Sequence, residues 1–192
     1  PHYPFIYSLQ GFRFCEVHLD TFECLAWNRY LFGGPVSDAI GSTLELIKPC
    51  QNISFRMAKV LSNSQRVYKL GDFSIGLDHL CHARSLLYER IMTGSHEPFL
   101  CEPFIVIDDI RSHVDAAVKM LQMSDHFWMI PSSLLTRAWL HTVRLDTSGA
   151  QTDLDEAWDI ASRGPMRLHM ADIHLYRARL FFREKEYPWE SP

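Results

Sequence analysis

The residues best suited to chemistry fall in two short stretches. Asp78, His79 and His82 lie in "DHLCH", and His169, Asp172 and His174 lie in "HMADIH". Histidines three apart on a helix can turn two imidazoles toward one metal ion. A third ligand would then come from His169, Asp172 or His174, and a metal-dependent enzyme built on both stretches is one reading. Against it, the chain has no HExxH, and its histidines follow no zinc-type spacing. Suitable donors without geometry do not make a site. Half-buried helix-contact histidines explain His79 and His174 better, so neither metal nor cofactor is expected.

Other catalytic patterns are missing too. There is no GxSxG turn and no cysteine in a recognisable catalytic context. The absence of GxxxxGK[ST] removes the phosphate cradle that NTP hydrolysis needs. Asp153, Asp155 and Glu156 resemble paired carboxylates, but are expected in the first turn of a helix, where negative charge meets the helix dipole favourably. No catalytic residue is assigned, and the chain is not expected to be an enzyme.

The totals narrow the remaining classes. With 47% hydrophobic and 22% charged residues, the 192-residue chain has the composition of a folded globular protein. A net charge of −4 supplies no bulk attraction to nucleic acid. No apolar run approaches the roughly 20 residues of a membrane span. Five cysteines, an odd number without a CxxC, point to buried free thiols in a reducing cytoplasm rather than a disulfide framework. The opening Pro1-His2-Tyr3-Pro4 lacks both Met and a signal-peptide pattern, and reads as a segment of a longer polypeptide.

Helical periodicity organises the chain. From Phe73 to Met92, Ile75, Leu77, Leu80, Ala83, Leu86, Leu87 and Ile91 recur at three- and four-residue steps, with Asp72 as the expected N-cap. Further helices are expected over 5–19, 37–47, 53–70, 110–123, 131–145, 153–162 and 166–185. Gly33-Gly34-Pro35, Lys48-Pro49-Cys50 and Gly164-Pro165 are expected to interrupt them. The stretch "TGSHEPFLCEPFIVIDD", residues 93–109, reads as a long loop, with "PFIVID" as an alternative short strand.

Sliding these helices over one another brings "LQGFRF", "CHARSL", "TRAWLH" and "YRARLF" into register. Each carries a small residue at the same place: Gly11, Ala83, Ala138 and Ala178. A small residue there lets a partner helix approach closely. Measured from Pro131, Ala138, Ala150, Leu154 and Ala157 fall at the small and large positions of a two-helix repeat of about 34 residues.

The region from Pro131 to Ser162 resembles a tetratricopeptide repeat. It departs from that pattern at Leu134, where Trp is usual, at Arg137-Ala138, where Leu-Gly is usual, and at His141, where Tyr is common. More broadly, "YSLQGFRFC", "GLDHLCHARSLLYERI", "IPSSLLTRAWL" and "DLDEAWDIASRGPMRLHMADIHLYRARL" are similar to tetratricopeptide-type C-terminal regions of large bacterial proteins, in which repeats follow an NTPase module of the NACHT or AAA type or another effector. The resemblance covers most of the chain and is weaker over 20–50 and 93–109. It implies an all-α fold: a single right-handed solenoid of antiparallel helix pairs across 1–192, in roughly four degenerate units with inserted loops.

The resemblance also implies a function. The first helix of each pair lines a concave groove where a partner segment lies. One position past each small residue come Phe12, Arg84, Trp139 and Arg179, with Arg183 a turn beyond. Arginines beside aromatics can clamp a carboxylate or an acidic peptide by bidentate hydrogen bonds and stacking. Pairing of Arg84 and Arg179 with acids inside the fold, such as Asp78 or Glu184, is the competing explanation. The expectation is a cytoplasmic protein-interaction or regulatory scaffold module, with no nucleic-acid or membrane partner. The alternative is a sensor that binds a small anionic ligand and controls an attached effector.

Overall fold

The structure is a computed structural model that describes residues 8–33, 43–63, 71–94, 104–181 and 183–189. Among these residues it contains seven α-helices, one short 3-10 helix and no strand. The helices are α1 (Ser8–Phe32), α2 (Thr43–Asn63), α3 (Asp72–Thr93), α4 (Phe104–Met123), α5 (Ile130–Val143), α6 (Thr147–Arg163) and α7 (Arg167–Leu180), and the 3-10 turn Phe127–Met129 leads into α5. No described helix is long and apolar enough to cross a membrane. The chain divides into two compact units, Pro1–Ser124 and Asp125–Pro192.

In the first unit α3 is the hub, and α1, α2 and α4 all pack against it. Its sequence explains this. Apolar or small residues recur on nearly every face, so Ile75, Leu77, Leu80, Cys81, Ala83, Leu87, Tyr88, Ile91 and Met92 are all buried. A helix that is apolar all round must be enclosed by neighbours. α4 comes close at Gly76, where an added Cβ would stand 3.0 Å from the Leu121 side chain and 3.2 Å from Met120. Gly71 is the N-cap of α3, and Asp72 is its first helical residue rather than the cap.

Several expected boundaries moved, among them the start of α6, at Thr147 rather than 153, and the end of α7, at Leu180 rather than 185. α1 does not stop near residue 19 but continues to Phe32, because Leu19, Phe22, Ala26 and Trp27 extend its buried stripe. It closes at Gly33, whose φ of 65° is open to glycine and whose N–H donates to the Arg29 carbonyl. α2 runs straight through Pro49 with Ile47, Cys50, Ile53, Met57 and Val60 buried along one side. Tertiary burial therefore overrides a residue that costs an isolated helix about 3 kcal/mol. Phe104–Asp109, expected as loop or strand, forms the start of α4. Residues 1–7, 34–42, 64–70 and 95–103, including the remainder of those expected loops and helix ends, lie outside the described residues.

The second unit is a helical hairpin, α5 and α6, with α7 packed on both. Pro131 sits in the first turn of α5, where its missing N–H is harmless. The two turns close alike: Asp146 N–H donates to the His141 carbonyl after α5, and Met166 N–H to the Ala161 carbonyl after α6. Asp146 also caps α6, its Oδ1 accepting from Gly149 N at 2.9 Å. Since α6 begins at Thr147, Asp153, Asp155 and Glu156 lie beyond its first turn, and their role is not the expected dipole contact.

Candidate functional site

The "DHLCH" stretch of α3 meets α4 at a cluster of three imidazoles. His79 Nδ1 and His113 Nδ1 are 2.8 Å apart, so one ring donates to the other. His82 and His113 stack with centroids 4.3 Å apart and planes at 16°. His82 Nε2 also reaches Ser54 Oγ on α2 at 3.3 Å, and His113 Nε2 lies 3.7 Å from Asp109 one turn back on α4. Burial pushes His79 and His82 each down to about 4. His113 is lowered for the same reason, with Asp109 pulling the other way. The cluster is therefore held uncharged at neutral pH.

This geometry opposes a shared metal ion. A metal lies close to the plane of each imidazole that binds it, which two rings stacked nearly parallel cannot satisfy together. Among the described residues no group of three or more His, Cys, Asp or Glu is placed to hold a metal. In the second unit, His174 packs edge-on against Trp158 at 4.8 Å, in keeping with a helix-contact histidine.

Asp78 is the outlier of the stretch. It is wholly buried, and neither carboxylate oxygen has a hydrogen-bond partner among the described residues. Burial raises it to about 7.

The five residues expected to line a groove divide between the units. Phe12 (1% exposed) and Trp139 (0%) are core residues, Trp139 standing edge-on to Tyr176 at 6.2 Å. Neither side chain is presented to a partner. Arg84 lies in a cleft of about 250 Å³ between α1 and α3, with Glu16, Val17, Leu19, Asp20, Glu23 and Tyr88. Its guanidinium lies 3.9 Å from the Glu16 carboxylate. Glu23 accepts from Tyr88 Oη at 2.9 Å. Three carboxylates outnumber one guanidinium there, so the cleft does not favour an anion. Arg179 is half-buried on α7, and Arg183 is exposed in the turn after it.

The arginines that organise the second unit are Arg137 and Arg177. Arg137 on α5 grips Asp153 of α6 through both carboxylate oxygens, at 2.9 and 2.6 Å. His141 Nδ1 meets Asp146 Oδ2 at 2.7 Å and extends the network to the α6 cap. Arg177 on α7 donates to Asp155 Oδ1 at 3.0 Å, and the Trp189 indole N–H donates to the same oxygen at 2.6 Å. The Arg177 guanidinium lies 5.1 Å from the Trp158 ring centroid and 4.6 Å from that of Trp189. These partners account for two of the three α6 carboxylates that a sequence reading places at the helix start. A signal for both arginines was present: each immediately precedes the small residue of its register, Ala138 or Ala178. His82 precedes Ala83 in the same way.

No known protein family, curated protein or solved structure matches the chain. What it can do must therefore be read from its own surfaces. One apolar surface is the exposed face of α7. Leu168 (83% exposed), Ala171, Leu175 and Ala178 follow one another at steps of three and four residues on that helix, all of them exposed. Ala178, expected to be a packing residue like Ala83 and Ala138, belongs to this outer stripe instead. Arg167, Asp172 and Arg183 are exposed around it.

Proposed function

We propose that the chain is a protein-interaction module of the tetratricopeptide type, whose working surface is the outer face of α7. The observation that carries the reading is the exposed Leu168–Ala171–Leu175–Ala178 stripe. Apolar residues at that spacing form a seam for another helix, and alanines let its backbone come close. Along α7 itself Arg167 and Arg179 stand toward the two ends of the stripe with one acid, Asp172, between them, so the fitting partner is an amphipathic helix with acidic flanks.

Three features support the repeat assignment. Ala138, Ala150, Leu154 and Ala157, which fall at the repeat's small and large positions, are all fully buried in the second unit. In each unit alternate helices also meet, α1 with α3 and α5 with α7, as stacked pairs require. The turns after α5 and α6 share one closing hydrogen bond. The surface proposed here replaces the groove centred on Phe12 and Trp139, because those side chains are enclosed. It retains the acidic partner, moved to Arg167 and Arg179. The anionic-ligand alternative loses ground at Arg84, where Glu16, Asp20 and Glu23 dominate.

The test titrates the protein with synthetic amphipathic helical peptides whose polar faces are acidic or basic, followed by calorimetry. Acidic-flanked peptides should bind best, and L168E/L175E should weaken them at least tenfold without loss of helical circular dichroism. Equal binding by wild type and the double variant would sink the proposal.

A further inference from the structure

The segment that follows α7 folds back onto the second unit and makes no use of the exposed α7 stripe. Its turn is closed by the Glu184 N–H, which donates to the Phe181 carbonyl at 3.1 Å. Arg183 to Pro188 are all exposed, and the segment then sets down one half-buried side chain, Trp189. Pro188 disfavours helical backbone at Tyr187, and the Tyr187 ring stands at 69° to Trp189 with centroids 5.4 Å apart.

The surface under Trp189 matches an indole on three sides. An indole has one N–H donor and no acceptor, so it needs an oxygen at its edge. Asp155 Oδ1 supplies one at 2.6 Å, and as a carboxylate it is a strong acceptor. The ring face attracts a cation, and the Arg177 guanidinium lies 4.6 Å from its centroid. Phe181 packs edge-on at 4.8 Å with planes at 83°. Asp155 and Arg177 also have a framework of their own. They bond to each other at 3.0 Å, and the guanidinium lies 5.1 Å from the Trp158 ring of α6.

We propose that Asp155, Trp158, Arg177 and Phe181 form a recognition site for a tryptophan-bearing peptide segment, which the chain's own Trp189 occupies as an intramolecular competitor. The strap that carries Trp189 is exposed along its length, so its fit is concentrated at the indole. A short tether gives that indole a local concentration of roughly millimolar order. A partner with the same Tyr-Pro-Trp chemistry therefore reaches the site by outcompeting the strap, or when the strap is drawn away. Binding in trans releases residues 183–189, so the chain regulates its own site.

The experiment titrates the full chain, as wild type and as W189A, with an amide-capped peptide of sequence Glu-Lys-Glu-Tyr-Pro-Trp, followed by calorimetry. W189A should keep its helical circular dichroism and bind the peptide about tenfold more tightly than wild type, because its site is empty. Replacing the peptide Trp by Ala should abolish binding, and adding D155A to W189A should weaken it about tenfold. Absence of binding to W189A, equal binding by both chains, or indifference to the peptide Trp would overturn the proposal. A second measurement needs only the wild-type chain. Excess peptide should move the Trp189 indole N–H resonance away from its hydrogen-bonded position, and a resonance that stays fixed would also overturn it.

Discussion

His79 Nδ1 and His113 Nδ1 face each other at 2.8 Å, one donating and one accepting. The pair therefore requires two different tautomers and loses its bond when both rings are protonated. His82 stacked on His113 brings a third imidazole to the same place, so acid would accumulate like charges where α3 meets α4.

This sets the direction of the pH dependence. His79 and His82 titrate near 4 in the folded chain and near 6.5 when unfolded. Their folded-state values are depressed, so the unfolded chain binds more protons between those limits. Their contribution is fully present above pH 6.5 and is lost as pH falls toward 4. Asp78 acts oppositely over much of the same range, leaving a net loss of about 1–3 kcal/mol. Urea unfolding from pH 7 to 4.5 should show a falling midpoint. The fall should be smaller in H79N, and an equal fall would place the acid sensitivity elsewhere.

Asp78 makes a separate prediction. Its folded-state value is raised to about 7 from 3.8, so its burial is harmless below pH 3.8 and increasingly destabilising as pH rises through 7. D78N keeps the shape and removes the charge. It should be more stable than wild type at pH 8 by about 1–3 kcal/mol, with no advantage at pH 4. A D78N chain weaker at pH 8 would mean that the carboxylate is sustained by partners.

Leu145 occupies the left-handed position after α5, with φ of 62° and its side chain largely exposed. Its N–H donates to the Thr142 carbonyl, and that of Asp146 to the His141 carbonyl, the paired bonds of a helix end that normally carries glycine. L145G should stabilise the second unit by about 0.5–1 kcal/mol. Thermal unfolding followed by circular dichroism reads this, and an unchanged or lower midpoint would refute the strain.

Pro49 interrupts the hydrogen-bond ladder of α2 without ending the helix. P49A restores an N–H that can donate to the Glu45 carbonyl. Stability should rise by about 1–3 kcal/mol in urea unfolding. A fall would show that a bend at Pro49 is needed for packing on α3.

The helical class, the core of α3 and the helices that became α5, α6 and α7 were legible because burial leaves a three- and four-residue apolar rhythm. Polar positions with partners on other helices lie one residue before the small residue of the register, not one after it. Arg137, Arg177 and His82 precede the small residue and meet partners on neighbouring helices. Phe12 and Trp139 follow it and enter the core. One residue along a helix is a turn of about 100°, and sequence spacing cannot say which side of a packing residue has neighbours. Pro49 signals a break in sequence for a related reason: local propensity weighs a few kcal/mol, and burial along α2 outweighs it.

The amino-acid sequence by itself determined the all-α class, the buried positions along α3 and the buried small residues Ala83 and Ala138. Those features depend on local periodicity, which each segment carries alone. Tertiary structure decided that His113 meets His79 and that the α6 residues Asp153 and Asp155 belong to Arg137 and Arg177. Each of these pairings joins different helices, and only the packing of those helices chooses which faces meet.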